Sequence, residues 1–382
     1  MMDAFRLELS GYVLSYTRGG ASLAITFSPM KPLAVTGERD VWGRSFLLKR
    51  NFSVLGIVPL ENDWYRGEAL HAYFKSAAFR TLLAAHDRHI FYGSSMGGYG
   101  ACAFAAAAPG AIIVAHNPQT TLDTRIVPWE SRFPQGRRQN WDGAFRDGKH
   151  GVDRASRALV TFDPHERLDA KHADRLGNAA TFLRIPFVGH AVPEHLQRMA
   201  LLGPVFDEFV AGSWNASAWR RSVRRRRDTR AFLRNLAGRA TTPWRSNTIV
   251  KHATAVLGHE RRTLLEVACI CASRCHNGEK LHELAEELCR TGKSGRPIGQ
   301  YWMVRGLAMM GRHADALALA EQSLEYPSIA GQLMPLIVPL AQHAGDREAG
   351  ERMLGRVWTP VRAAWVDELR VRLTRAFALP RQ

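Results

Sequence analysis

No hydrophobic run in this sequence is long enough to span a bilayer. The most apolar stretch, 101–115, is broken by Pro109-Gly110, whereas a membrane helix needs about 20 apolar residues. The N-terminal Met1-Met2-Asp3-Ala4-Phe5-Arg6 lacks the basic-then-apolar pattern of a secretory leader. Cysteine is scarce: there are five in 382 residues, and Cys269, Cys271, Cys275 and Cys289 fall in a segment that reads as helix. A disulfide-knit scaffold is thereby excluded, and a reducing, cytoplasmic setting is the expectation. Acidic residues are also short, 35 against 52 Lys and Arg, for a formal charge of +17. The imbalance is local. Residues 1–213 carry 24 basic and 20 acidic side chains, and residues 246–382 carry 18 and 14, so each is +4; 214–245 holds ten Arg and one Asp, +9. A hydrophobic content of 46% excludes a disordered or collagenous chain.

What is present up to residue 213 is alternation. Leu7–Leu9 and Tyr12–Tyr16 around Ser10-Gly11 read as a hairpin, and Ser22–Phe27 as a third strand stopped by Ser28-Pro29. Phe52–Val58 is nearly continuously apolar, as in a strand buried on both faces. His89–Tyr92, Ala111–Ala115, Ala158–Phe162 and Thr181–Val188 follow, separated by helical periods at 70–82, 98–108, 166–176 and 194–210. Eight strands with interleaved helices predict an open, mostly parallel α/β sheet. About forty residues, Asn117 to Arg157, lack periodicity and lie between two strands, which suits a lid or substrate-facing insertion.

The most informative stretch is Gly93-Ser94-Ser95-Met96-Gly97-Gly98-Tyr99-Gly100, a G-x-S-x-G motif between an apolar strand and an Ala-rich helix. Such a turn lifts the Ser hydroxyl above the sheet edge and needs small residues two before and two after it. The Met96 N–H, opening the helix, faces the place where an oxyanion develops. On these residues the first 213 positions resemble the α/β-hydrolases, and the elbow is similar to that of small bacterial serine esterases. The resemblance implies a triad in the order Ser, acid, His. Ser95, Asp163 after the strand Ala158–Phe162, and His190 after Thr181–Val188 stand in the matching places. Glu166 and Asp169 lie within reach of the same loop as Asp163, and His165 is too near the acid to face it. The lipase His-Gly-Gly-Gly run is missing. Ser28-Pro29-Met30-Lys31-Pro32 replaces it, Pro29 has no N–H, and the second oxyanion donor is Ser28, by N–H or hydroxyl, or the Met30 N–H.

Two further loops sit at strand carboxyl ends. Glu61-Asn62-Asp63-Trp64-Tyr65-Arg66 offers Asp63, Trp64 and Tyr65 for substrate contact, or Trp64 for packing on the core; His116-Asn117-Pro118-Gln119 offers Gln119 on the same terms. Residues 246–382 read as helix throughout. Gly311-Arg312 recurs as Gly345-Asp346, and Gly278 precedes Gly311 by a similar interval. The spacing resembles tetratricopeptide repeats, which implies a helical array that either recruits a protein partner or packs on the neighbouring domain. Thr291-Gly292-Lys293-Ser294 mimics a phosphate loop, but Glu287 stands where its first Gly is needed, and no strand precedes it. The cysteine spacing does not make a zinc site and reads as buried thiols. No cofactor and no metal are expected. The run Arg220 to Arg227 reads either as a solvated linker, 214–245, or as a patch for an anionic surface; nothing marks a sequence-specific nucleic-acid binder. The function expected is a serine hydrolase that cleaves a small-molecule or glycan carboxylic ester through a Ser95 acyl-enzyme. The alternatives are an acyltransferase acting on a glycan hydroxyl and a catalytically silent scaffold whose helical region recruits partners.

Overall fold

A computed structural model of the chain describes residues 3–30, 40–356 and 363–378; Lys31 and Pro32 lie outside them. The chain divides into two compact units, 1–226 and 227–382.

The first unit is organised by eight strands: β1 (Ala4–Leu9), β2 (Tyr12–Thr17), β3 (Ser22–Phe27), β4 (Phe52–Pro59), β5 (Arg88–Ser94), β6 (Ile112–His116), β7 (Arg157–Phe162) and β8 (Thr181–Arg184). They lie side by side in the order β1-β2-β4-β3-β5-β6-β7-β8. Only β1/β2 and β2/β4 pair antiparallel; the rest of the sheet is parallel. This is the α/β-hydrolase strand order. The central strands are apolar at consecutive positions because each face has its own core. Leu23, Ile25, Phe27 and Phe91 enter one, while Ala24, Ile90, Tyr92 and Val114 enter the other.

From β3 the chain crosses to β4 on one side and then to β5 on the other. The carboxyl ends of β3 and β5 are therefore neighbours whose following loops part, which opens the crevice where open α/β sheets bind ligands. Ser28 and Ser95 flank that crevice.

Several boundaries differ from those read in the sequence. The helical period 70–82 is two helices, Glu68–Lys75 and Ala77–Ala84, because the Ser76 side chain accepts from the Phe79 N–H and starts a second helix. β8 stops at Arg184, and the period 194–210 splits into Val192–Arg198 and Leu202–Ala211 around Ala200, whose φ is 56°. The aperiodic insertion is largely packed rather than open: Leu122, Trp141 and Val152 join the core. Arg66 holds it down by donating to the carbonyls of Asn140, Asp142 and Ala144.

The segment 214–245 was expected as a linker. It is mostly helical, and the units part inside it, at Arg226/Arg227. Trp219 and Val223 are buried in the first unit's core, and Arg226 donates to the Pro186 carbonyl. Amphipathic spacing of Trp219 and Val223 within the arginine run makes one face of this segment core and leaves Arg220, Arg221, Arg224 and Arg225 on the other, exposed.

Among the described residues the second unit contains helices and no strand, and each helix from Arg261–Arg274 to Arg347–Arg356 packs on the next in sequence. Gly278 and Gly306 let the helices Gly278–Cys289 and Gly295–Met309 approach closely: a Cβ on Gly278 would lie 3.1 Å from the Gly306 carbonyl oxygen. Cys269 and Cys271 are buried, and burial pushes their thiols up to about 12 and about 11. No helix among the described residues is long and apolar enough to cross a membrane.

Candidate active site

Ser95 stands between β5 and the helix Met96–Phe104 with φ 55° and ψ −121°, a conformation that strains a non-glycine residue by about 1–3 kcal/mol. The surrounding glycines make room for this turn. A Cβ on Gly93 would lie 2.0 Å from the Gly97 carbonyl oxygen, and one on Gly97 would lie 2.1 Å from that of Phe27. The Ser95 N–H donates to the His116 carbonyl at 2.9 Å, which ties the elbow to β6.

His190 Nε2 lies 2.9 Å from Ser95 Oγ, and its Nδ1 lies 2.5 Å from Asp169 Oδ2. A carboxylate only accepts, so the proton is on Nδ1, and Nε2 presents its lone pair to the Ser95 hydroxyl. This is the tautomer that general-base removal of the hydroxyl proton requires. Asp169 is 1% exposed, and its other oxygen accepts from Arg132 at 2.8 Å.

The acid against His190 is therefore Asp169 and not the expected Asp163. Asp163 follows β7 directly, and its side chain turns into its own loop, where Oδ1 accepts from the His165 N–H at 2.9 Å and Oδ2 from the Gly189 N–H at 2.7 Å. It braces the residue before His190. One turn of loop further on, Asp169 occupies the first turn of the helix Arg167–Leu176, which carries its carboxylate across to the imidazole. Its place in a helical first turn was the available signal. His165 stacks on Phe187, with ring centroids 4.0 Å apart.

Met96 is the first residue of its helix, so its N–H has no helical acceptor. The Ser28 N–H is not available as a second donor, because it bonds the Ile57 carbonyl at 3.2 Å as β3 ends. The Ser28 hydroxyl is buried without a hydrogen-bond partner. Of the proposed substrate contacts, Trp64 and Tyr65 are buried in packing: Trp64 lies against Phe133, and Tyr65 donates to the Ser28 carbonyl at 2.5 Å. Asp63 accepts from the Tyr12 hydroxyl and the Tyr65 N–H, so these three shape the wall behind Ser28.

Gln119 differs. It is fully buried, and its Oε1 has no partner. Asn117, two residues earlier, has neither amide atom paired and sits beside the elbow, next after the His116–Ser94 register pair. Pro118 between them lies against Gly98. Burial pushes the His116 imidazole down to about 3, so it is neutral, with Nδ1 2.6 Å from Thr161 Oγ1. Asn117 carried no periodic or motif signal of its own; only the strand register puts it there.

No family model matches the chain, and no curated protein matches it. Among solved structures it is similar to the capsule O-acetyltransferase of Neisseria meningitidis serogroup A, at 16% identity and a TM-score of 0.39, over 54% of this chain and 94% of that one. It is also similar to Est1E from Butyrivibrio proteoclasticus, at 15% identity and a TM-score of 0.38, over 55% of this chain and all of that one (100%). A third neighbour is the S-formylglutathione hydrolase of Staphylococcus aureus, at 11% identity and a TM-score of 0.34, over 58% and 97% of the two chains.

Proposed function

We propose that the first unit is a serine acyl-transfer enzyme, in its simplest form a carboxylic ester hydrolase. The observation that carries this reading is the continuous chain Ser95 Oγ, His190 Nε2, His190 Nδ1, Asp169 Oδ2, at 2.9 and 2.5 Å, with the productive tautomer. Ser95 Oγ attacks the ester carbonyl while His190 takes its proton. The developing oxyanion is met by the Met96 N–H and the Ser28 hydroxyl. The alcohol leaves with the proton from His190, and water, deprotonated in turn by His190, releases the acid from the Ser95 ester. Asp169 orients the imidazole and stabilises the imidazolium. A fully hydrogen-bonded triad on a strained elbow argues against a silent scaffold.

The reading is tested by fluorophosphonate labelling and by hydrolysis of short p-nitrophenyl esters. Both are expected in the native chain and absent in Ser95→Ala, with turnover lowered by ~10⁴–10⁶. Equal labelling of the two would overturn it.

One observation favours a second reading, transfer of the acyl group to a sugar hydroxyl. Unpaired buried polar atoms are uncommon, and the two amide atoms of Asn117 beside the elbow, with the Oε1 of Gln119, suit a polyhydroxyl acceptor. Esterified sugar formed at the expense of free acid, when a glycan is added, distinguishes it from hydrolysis. For the second unit, the sequential packing of helices supports a tetratricopeptide-like array that recruits a protein partner. The exposed Arg220, Arg221, Arg224 and Arg225 suit an anionic surface, with attraction that fades as salt rises.

A further inference from the structure

The helix that carries Asp169 is joined to the aperiodic insertion along one stripe. Asp169, His172 and Arg175 follow one another at three-residue steps and so share a helix face. Each bonds a residue of the insertion. Asp169 accepts from Arg132 Nη1 at 2.8 Å. His172 Nε2 lies 3.1 Å from Glu130 Oε2, and Arg175 Nη2 donates to Asp147 at 2.6 Å. Between the first two, Arg132 grips Glu130 through Nε at 3.0 Å, Nη2 at 2.7 Å and its own backbone N–H at 2.8 Å.

The orientation of every group in this array is determined. The Thr120 N–H donates to His172 Nδ1 at 3.1 Å, so that nitrogen holds a lone pair and Nε2 holds the proton. His172 is thus a neutral donor to Glu130, in keeping with burial pushing its imidazole down. Glu130 and His172 are 0% exposed, and Asp169 is 1% exposed, so in this structure the carboxylates depend on these donors rather than on water. Burial pushes the Glu130 carboxyl up, but hydrogen bonds from His172 and Arg132 outweigh that and hold it at about 2.

We propose that Arg132 is a positioning residue for the Ser95 reaction: it aims Asp169 at His190, and it is itself aimed by Glu130 and His172, so that folding of the insertion sets the geometry of the triad. Asp169 has two donors, His190 Nδ1–H on one oxygen and Arg132 on the other. Without Arg132 a buried anion keeps a single partner, and it relieves that deficit by turning or by taking up a proton. Either change weakens its hold on Nδ1–H. This rests on the acyl-transfer reading for its kinetic consequence, but the hydrogen bond it concerns exists with or without turnover.

The test compares Arg132→Gln, Arg132→Lys and, as a control on the same segment, Lys149→Gln, whose side chain pairs only with the exposed Asp153. Kinetics on p-nitrophenyl acetate are combined with the low-field proton NMR resonance of the His190 Nδ1–H. Arg132→Gln is expected to lower kcat by ~10²-fold, the scale of a misplaced catalytic group, with KM nearly unchanged and the resonance lost or moved. Arg132→Lys keeps the charge and recovers part of both, and Lys149→Gln matches the native chain. Should Arg132→Gln not fold, as judged by near-ultraviolet circular dichroism, the Lys variant decides by an intermediate kcat and a displaced resonance. A folded Arg132→Gln, or failing that an Arg132→Lys, with native kcat and a native resonance would overturn the proposal. If the native chain neither labels nor turns over, the acyl-transfer reading falls, while the resonance still decides the coupling: unchanged in Arg132→Gln, it overturns the coupling too.

Discussion

Replacing Asp169 by Asn changes one oxygen for an amide nitrogen, and the surroundings dictate which way it turns. Oδ1 accepts from Arg132 at 2.8 Å, and a guanidinium can only donate, so the amide oxygen stays on that side. The NH₂ group then faces His190 Nδ1. Two donors cannot bond, so Nδ1 becomes the acceptor, and the ring proton moves to Nε2, against the Ser95 hydroxyl. In that tautomer no base is available for Ser95. The cost expected is ~10⁴-fold in kcat, about 5.4 kcal/mol at 1.36 kcal/mol per decade, with little change in KM. Asp163→Asn is the contrast. Its two oxygens accept from the His165 and Gly189 N–H groups, and an amide serves only one of them. That costs about 1–3 kcal/mol of stability and, by loosening the residue before His190, roughly tenfold in turnover. Both variants are assayed by p-nitrophenyl acetate hydrolysis and by the rate of fluorophosphonate labelling, with urea unfolding for stability. The reverse ranking, with Asp163→Asn inactive and Asp169→Asn close to native, would refute the assignment.

Three further outcomes are expected. Gly97→Ala puts a methyl group 2.1 Å from the Phe27 carbonyl oxygen, a backbone atom that cannot step aside; the soluble yield should collapse or the labelling vanish, and a folded, labelled variant would contradict the close approach. Trp219→Ala empties a 4%-exposed site in the core of the first unit and should cost about 3–5 kcal/mol in urea unfolding followed by esterase activity, whereas a free linker predicts no change. Glu130 titrates at about 2 when folded, against an ordinary 4.5, so the ionised carboxylate stabilises the fold fully above pH 4.5 and loses that contribution as pH falls toward 2. Glu130→Gln should therefore flatten the acid limb of unfolding free energy measured across that window.

Local signals located the strands and the elbow well, because these depend on patterns a few residues long. An apolar run such as 22–27 or 52–58, short and bounded by turn residues, fits a strand with both faces covered, and Gly93-Ser94-Ser95-Met96-Gly97 between such a run and an Ala-rich helix fits a sharp turn. His190 was legible as the polar residue just past the last apolar run, 181–188, although β8 itself ends six residues earlier, at Arg184. The boundary between the units was not legible. An arginine-rich run reads as solvated until Trp219 and Val223 are seen filling the core from its other face.

The identity of the acid illustrates the division most plainly. Asp163, Glu166 and Asp169 lie within seven positions of one another, 163–169, and the sequence favoured Asp163 only because it follows a strand directly. Which of them meets His190 depends on where the helix Arg167–Leu176 begins and on Arg132, 37 residues away in sequence, bonding the far oxygen of Asp169. Sequence alone located the sheet, the elbow serine and the histidine that meets it at 2.9 Å, because strand periodicity and a glycine-bounded turn are set by steric limits on neighbouring residues. Only the tertiary structure placed Asp169 against that histidine, left both amide atoms of Asn117 and the Oε1 of Gln119 unpaired, and formed the stripe from Asp169 to Arg175, because hydrogen bonds between distant segments leave no period in the chain.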